Sequence, residues 1–288
     1  MEKALTRPRI WAHRGARAHA PENTMAAARA ALAQGADGWE LDVHLSRDGV
    51  AVVTHDHGLR RVTDIAIRPG MPARRDHVVK RLTLAQLRGL DAGSWFARRD
   101  PFGTVAGGEV GPEELAGFAR ETIPTLEEAL AWTRGVGLAV NVEIKDMLGG
   151  DDSALVRETV RLIRGAGLGG RVLVSSFRQA SLEAFRLLCP EVPLGLLLDE
   201  KAMTASTPSI IARLRDLGAS ALHPSIRGLF PGRVAGFRRA GFKVNVYTVN
   251  RPEDIVWLAR EGATGIITDF PARSRAVLAR LDPAPGSI

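Results

Sequence analysis

The chain has 288 residues, 45% hydrophobic and 25% charged, ordinary globular values that exclude a disordered chain, a collagen-like fibre and a coiled coil. Its single cysteine, Cys189, excludes an intrachain disulfide and a Cys-based metal cluster. Lys plus Arg is 39 against 32 for Asp plus Glu, a net +7, but the arginines are scattered and lack aromatic interleaving, so the charge does not point to a nucleic acid.

No stretch reaches the ~18 consecutive apolar residues of a membrane span, so stable membrane insertion is not expected. The N-terminal MEKALTRPRIW lacks the apolar run of ~7–15 residues that a signal peptide carries. The expected location is cytoplasmic.

In chain order, residues 9–13 form a short β-prone run and 23–33 an Ala-rich helix stopped at Gly35. Residues 39–45 and 50–54 read as strands. The gap between them is too short for a parallel crossover, and Arg47-Asp48-Gly49 is a turn signal, so they form a hairpin. From 126 onward, helices and strands alternate. Helices fall at 126–134, 153–165, 182–188, 209–217, 233–240, 253–261 and 272–281. Strands fall at 138–144, 172–176, 194–198, 219–223, 244–249 and 265–268. Counting the hairpin once leaves eight βα units, which predicts an α/β fold, a (β/α)8 TIM barrel in a single catalytic domain over residues 1–288. Residues 57–122 break the pattern. They hold one short helix near 82–87 and a Gly-rich stretch from Gly103 to Gly111, and read as a segment inserted after the second-strand hairpin, a subdomain or a lid over the barrel mouth.

The acids give the first chemical signal. Glu40 and Asp42 are two apart on a strand and share a face, and Glu143 ends another strand, with Lys145 on its face. Three carboxylates meeting at a barrel mouth call for a cation. An all-oxygen ligand set suits one divalent ion, Mg²⁺, Ca²⁺ or Mn²⁺. His13 ends the first strand and His55 the return arm of the hairpin. A turn near Asp48 sets His55 opposite Leu41, level with the acids. Two histidines there suit general acid and general base. Arg14 and Lys145 face the same mouth and can grip phosphate oxygens. A divalent ion, an Arg and a Lys about one point suit a phosphodiester. His19, His44, His57, His77 and His223 carry no assigned role, though His44 shares the Glu40 and Asp42 face.

The ordered set His13-Arg14-Gly15, Pro21-Glu22-Asn23-Thr24, Glu40-Leu41-Asp42-Val43 and His55-Asp56 resembles the N-terminal signature of the glycerophosphodiester phosphodiesterases. The resemblance continues through Leu90-Asp91-Ala92-Gly93-Ser94-Trp95-Phe96, Ile123-Pro124-Thr125-Leu126-Glu127-Glu128, Glu143-Ile144-Lys145, Ser175-Ser176-Phe177, Tyr247-Thr248-Val249-Asn250 and Thr268-Asp269-Phe270-Pro271. It implies a TIM barrel with an inserted segment. It also implies His13 and His55 as the acid–base pair, Glu40, Asp42 and Glu143 as ligands of a divalent metal, and Arg14 and Lys145 as the phosphate grip. Phe177 and Tyr247 fall where substrate would be lined. Tyr247 stands where relatives often carry Trp, and 97–121 is longer and richer in Gly than expected.

The implied reaction is metal-dependent hydrolysis of a small glycerophosphodiester to sn-glycerol 3-phosphate and an alcohol. The attacking group is water or the glycerol 2-hydroxyl. A lysophospholipase D-like reaction on lysophospholipids at the same site is the second reading. A phosphate-binding protein without catalysis is a third.

Overall fold

The computed structural model describes residues 7–147 and 150–281. The first six residues, where a leader was sought, lie outside them. Among the described residues nine strands form one sheet: β1 (Arg9–Ala12), β2 (Gly38–Leu45), β3 (Ala51–Val53), β4 (Ala139–Ile144), β5 (Val172–Ser176), β6 (Leu194–Leu198), β7 (Ala221–Pro224), β8 (Lys243–Val246) and β9 (Gly265–Thr268). Eight are parallel and run in the order β1, β9, β8, β7, β6, β5, β4, β2. Pairing of β1 with β2, Trp11 opposite Gly38, closes the ring. The fold is therefore a (β/α)8 TIM barrel, and β3 is the antiparallel arm of the predicted hairpin.

Among the described residues eleven helices accompany the strands: α1 (Met25–Ala33), α2 (Leu84–Arg88), α3 (Trp95–Arg99), α4 (Pro112–Phe118), α5 (Leu126–Val136), α6 (Ser153–Ala166), α7 (Gln179–Leu188), α8 (Thr207–Leu217), α9 (Arg233–Arg239), α10 (Pro252–Arg260) and α11 (Pro271–Ala279). The larger core lies between barrel and helices. Trp39, Leu41 and Val43 of β2 point outward into it, each fully buried. The Trp39 indole donates to Thr133 Oγ1 on α5 at 2.9 Å, so its polar atom is satisfied. On α6, Leu155, Val156, Thr159, Val160, Leu162 and Ile163 are buried at helical spacing, one face against the barrel. Alternation then sends Glu40, Asp42 and His44 of β2 and Asn141 and Glu143 of β4 inward.

The hairpin register is Val43 to Val53, His44 to Val52 and Leu45 to Ala51. The Thr54 amide continues it, donating to the Asp42 carbonyl at 3.0 Å. Extending the register two places sets His55 opposite Leu41, the position the turn arithmetic gives.

Boundaries differ where function intrudes. The first helix starts at Met25 with Thr24 as its N-cap, its hydroxyl accepting from the Ala27 amide at 3.2 Å. Asn23, read as helical, lies outside in a left-handed conformation, φ +57°. The eighth strand ends at Val246 rather than 249.

Residues 57–122 hold α2, α3, α4 and short 3₁₀ turns. Only α2 carried a sequence signal. It is stabilised by a capping box, with the Gln86 amide donating to Thr83 Oγ1 and the Thr83 amide to Gln86 Oε1. The segment packs through two apolar clusters. One joins Leu59, Ile65, Val79, Leu82, Leu87 and Leu90 to Val52 of β3. The other joins Val62, Trp95, Phe96, Val110 and Phe118 to Ala26 and Ala27 of α1. The Gly-rich stretch is pinned to the first βα loop: Thr104 Oγ1 donates to the Ala18 carbonyl at 2.5 Å, and Glu109 meets His19 at 3.0 Å.

At the opposite end of the barrel, Trp11 of β1 projects inward and takes the room left by two missing side chains. A Cβ at Gly38 would come 2.7 Å from its ring, and one at Gly265 would come 2.9 Å from its Nε1.

Candidate active site

The carboxyl ends of the strands bring the sequence-selected residues together. His13, Arg14, Glu40, His55, Glu143, Lys145, Phe177 and Tyr247 all line one pocket of about 130 Å³. Asp42, 1% exposed, is just outside the lining, its carboxylate engaged by Asn23 Nδ2 at 2.8 Å, Lys145 Nζ at 3.3 Å and Arg14 Nε at 3.4 Å.

Glu40, Asp42 and Glu143 each offer a carboxylate oxygen, and these oxygens lie within 4.8 Å of one another. Two like charges 4 Å apart repel by on the order of 4 kcal/mol at an effective dielectric of 20. Two cations answer them in part. Lys145 Nζ stands 2.6 Å from Glu143 and Arg14 Nε 3.4 Å from Asp42, while Glu40 Oε2 accepts from the uncharged Arg14 backbone amide at 2.9 Å. Against burial, Lys145 and then Arg14 hold Asp42 far below the ordinary carboxylate range. Glu40 goes the other way: burial, then the charges of Asp42 and Glu143, push it well above that range. Burial also raises Glu143. The protein's own cations thus leave negative charge uncompensated at one point. That excess, carried on oxygen atoms alone, fits a hard divalent cation.

The histidines flank this cluster in matching settings. His13 Nδ1 lies 2.7 Å from Asp269 Oδ1, and His55 Nδ1 lies 2.7 Å from Asp56 Oδ1. Asp56 and Asp269 are both held below their ordinary values, so they are ionised and accept. The ring proton therefore sits on Nδ1, and Nε2 is left with its lone pair. Burial and then the Arg14 charge lower the proton affinity of His13, outweighing Asp269.

Sequence reasoning gave no role to the residues that hold these groups. Asp269 is 256 positions from His13 and is itself fixed by Asn250 Nδ2 at 2.7 Å and Arg17 Nε at 3.5 Å. Asp56 accepts from Arg61 Nε at 2.5 Å, and Arg61 reaches on to Glu22 at 2.6 and 2.9 Å. Glu22 in turn receives Arg14 Nη1 at 2.9 Å. Asn23 clasps Asp42 from both sides, side chain to carboxylate and Asp42 amide to Asn23 Oδ1 at 3.2 Å. His44 donates through Nε2 to the His55 carbonyl at 3.0 Å, so it positions the backbone of a site residue. The one available signal was adjacency: Glu22, Asn23, Asp56 and Asp269 all stand inside the quoted motifs.

The first βα loop carries the backbone cost. Arg14 and Asn23 both have positive φ, +55° and +57°. At Gly15, φ +81°, a Cβ would fall 2.5 Å from Ala27, so the loop closes on α1 only with glycine there. Phe177 and Tyr247 meet edge to face at 6.0 Å, and the Phe177 ring lies 6.0 Å from Lys145 Nζ. Phe177 is 44% exposed, a wall of the pocket and not barrel filling. Trp95 and Phe96, by contrast, are buried in the inserted segment.

Glu22 gives a pH test of this network. Against burial, the Arg61 hydrogen bond and the Arg14 charge hold its pKa down at about 2, from 4.5. A depressed carboxyl contributes stability that is present above pH 4.5 and is lost as pH falls toward 2, worth at most about 3 kcal/mol. The urea midpoint of the parent chain is expected to fall more steeply over that window than that of Glu22→Gln. Parallel curves would place the stabilisation elsewhere.

A family model described as the glycerophosphoryl diester phosphodiesterase family matches residues 13–273. A glycerophosphodiester phosphodiesterase of Caldanaerobacter subterraneus is 33% identical over 265 residues, covering 91% of this chain and 94% of that protein. Among solved structures, a phosphodiesterase of Oleispira antarctica in complex with the product sn-glycerol-3-phosphate is 29% identical with a TM-score of 0.77, covering 94% of this chain and 97% of the other. A glycerophosphodiester phosphodiesterase from Agrobacterium tumefaciens is 28% identical with a TM-score of 0.70, covering 93% and 99%.

Proposed function

The chain belongs to the glycerophosphoryl diester phosphodiesterase family, and on that premise we propose that it hydrolyses small glycerophosphodiesters to sn-glycerol 3-phosphate and an alcohol, with His13 and His55 as general base and general acid. The observation that carries this reading is two Asp-anchored histidines lining the same pocket as the carboxylate triad. His13, kept neutral by burial and by Arg14, takes the nucleophile's proton on Nε2. His55 enters the step as the imidazolium, its Nδ1–H held by Asp56, and delivers its second proton from Nε2 to the leaving alkoxide as the phosphorus–oxygen bond breaks. Arg14 and Lys145 hold the phosphate oxygens, and Phe177 and Tyr247 face the alcohol.

Glu40, Asp42 and Glu143 would hold one divalent cation. When bound, it supplies positive charge against the non-bridging phosphate oxygens. Residues 57–122 are, in this reading, a subdomain inserted in one catalytic domain. They carry Arg61, which steadies Asp56, and Glu109, which meets the first loop.

The solved relative with sn-glycerol-3-phosphate favours this substrate class over lysophospholipids. Among the described residues no helix is long and apolar enough to cross a membrane.

The test is release of glycerol 3-phosphate from glycerophosphocholine and glycerophosphoethanolamine, with EDTA and with added Mg²⁺, Ca²⁺ or Mn²⁺. Metal-dependent release is expected. Silence on both diesters with cleavage of a lysophospholipid would overturn the substrate assignment. Retained turnover of a substrate without the 2-hydroxyl would mark water as the nucleophile.

A further inference from the structure

The amino-terminal end of the barrel, remote from the reacting groups, carries a second recess of about 200 Å³. Three cations from three separate strand starts reach it: Arg9 opens β1, Lys243 opens β8, and Arg171 immediately precedes β5. Among the described residues no acidic side chain lines it. Arg9 and Lys243 have no ion-pair partner among the described residues, and the Arg171 guanidinium donates to the Leu138 carbonyl at 3.1 Å. The adjoining recess adds Arg7 and Arg275 and shares Arg9 and Arg171. Its acid, Asp37, is already taken by Arg275 at 2.9 Å and by the Ile10 amide at 2.7 Å.

A second, independent feature lies on the wall of the same recess. Trp11, 6% exposed, has a buried indole N–H with no hydrogen-bond partner among the described residues. A buried donor without an acceptor costs on the order of 1–3 kcal/mol. An anion held by the three cations would bring the missing acceptor.

We propose that this recess is an anion site that takes a small phosphate monoester, gripped by Arg9, Arg171 and Lys243 and floored by Trp11. The volume lies below the roughly 300–1,000 Å³ of pockets for drug-sized ligands, which limits the occupant to a phosphate on a few carbons. A polyanion needs an exposed track of charge rather than a recess, so a nucleic acid is not the occupant. Guanidinium forks and an ammonium together match the oxygens of a dianion better than a single carboxylate. Nothing here depends on the reaction assigned to the other end of the barrel.

The indole region of ¹H–¹⁵N spectra tests it, with the Trp11 peak identified by its loss in Trp11→Phe. Inorganic phosphate, then glycerol 3-phosphate, is titrated at constant ionic strength. The Trp11 peak is expected to shift and saturate, and the Arg9→Ala/Lys243→Ala double variant to weaken that binding at least tenfold with diester turnover unchanged. Lys145→Ala, which weakens the phosphate grip of the catalytic pocket, should leave the Trp11 response intact. A Trp11 peak that does not move, moves equally with chloride, or saturates alike in the double variant overturns the site. Thermal melts with and without phosphate give the second reading: the parent melting temperature rises, and that of the double variant rises less. Equal rises overturn the site as well.

Discussion

Replacing His13 or His55 with alanine is expected to lower kcat by ~10²- to 10⁴-fold, the range for a positioned general acid or base. Each ring is set by an ionised carboxylate on Nδ1, so the atom that the proposed proton transfers would use is Nε2 on both. Asp269→Asn and Asp56→Asn should therefore reduce rate as well, because an amide can donate to Nδ1 and favour the wrong tautomer. The two Asp variants should differ in spread. Asp56 sits among Arg61 and Glu22, so its loss also loosens the inserted segment. Asp269 is clamped by Asn250 and Arg17, so its loss stays local. Steady-state kinetics with thermal melts on the same samples separates lost chemistry from lost folding. Full activity in both alanine variants would end the acid–base assignment.

The second large effect concerns the carboxylate triad and has two signs. Adding a divalent cation at about 100 times its Kd should stabilise the parent by about 2.7 kcal/mol, a rise in melting temperature of roughly 4–5 °C for a domain of this size. Glu40→Gln should lose most of that response, together with activity. In EDTA, however, Glu40→Gln should melt above the parent. Burial and the charges of Asp42 and Glu143 make an ionised Glu40 unfavourable, and the amide removes that repulsion while keeping an acceptor for the Arg14 amide. Calorimetry of both proteins with and without metal reads both signs. A parent that is indifferent to every divalent ion would mean that Arg14 and Lys145 balance the acids unaided.

The barrel was legible because its strands are short apolar runs bounded by turn residues. Residues 172–176, 194–198 and 265–268 match the observed strands. The hairpin was legible in register as well as existence, since a turn at Asp48 fixes every pair before it. The primary site residues were legible because strand alternation puts Glu40 and Asp42 on one face. Their supports were not. An Asp–His pair separated by 256 positions exists only once β9 lies beside β1, and no local pattern encodes it. The helices α3 and α4 escaped for a different reason. Each is only five to seven residues long and is held by docking onto α1 through Trp95, Phe96 and Phe118, so there is no long period to read. Asn23 was misplaced because its residue type suits a helix cap, while its neighbour Thr24 takes that position and frees Asn23 to bind Asp42.

Closure of β1 against β9 also has a meaning in time. A ribosome adds Asp269, the anchor, 256 residues after His13. Domains fold during synthesis from the N-terminus onward, yet a nascent chain that has made every other site residue still lacks the strand that completes the ring. The proposed acid–base site is therefore assembled only after β9 and Asp269 have been made, and a chain cut short before β9 is expected to be inert however well its earlier units have packed. Proteolytic loss of β9 and α11 would be expected to have the same result, turning the enzyme off without touching His13, His55 or the carboxylates.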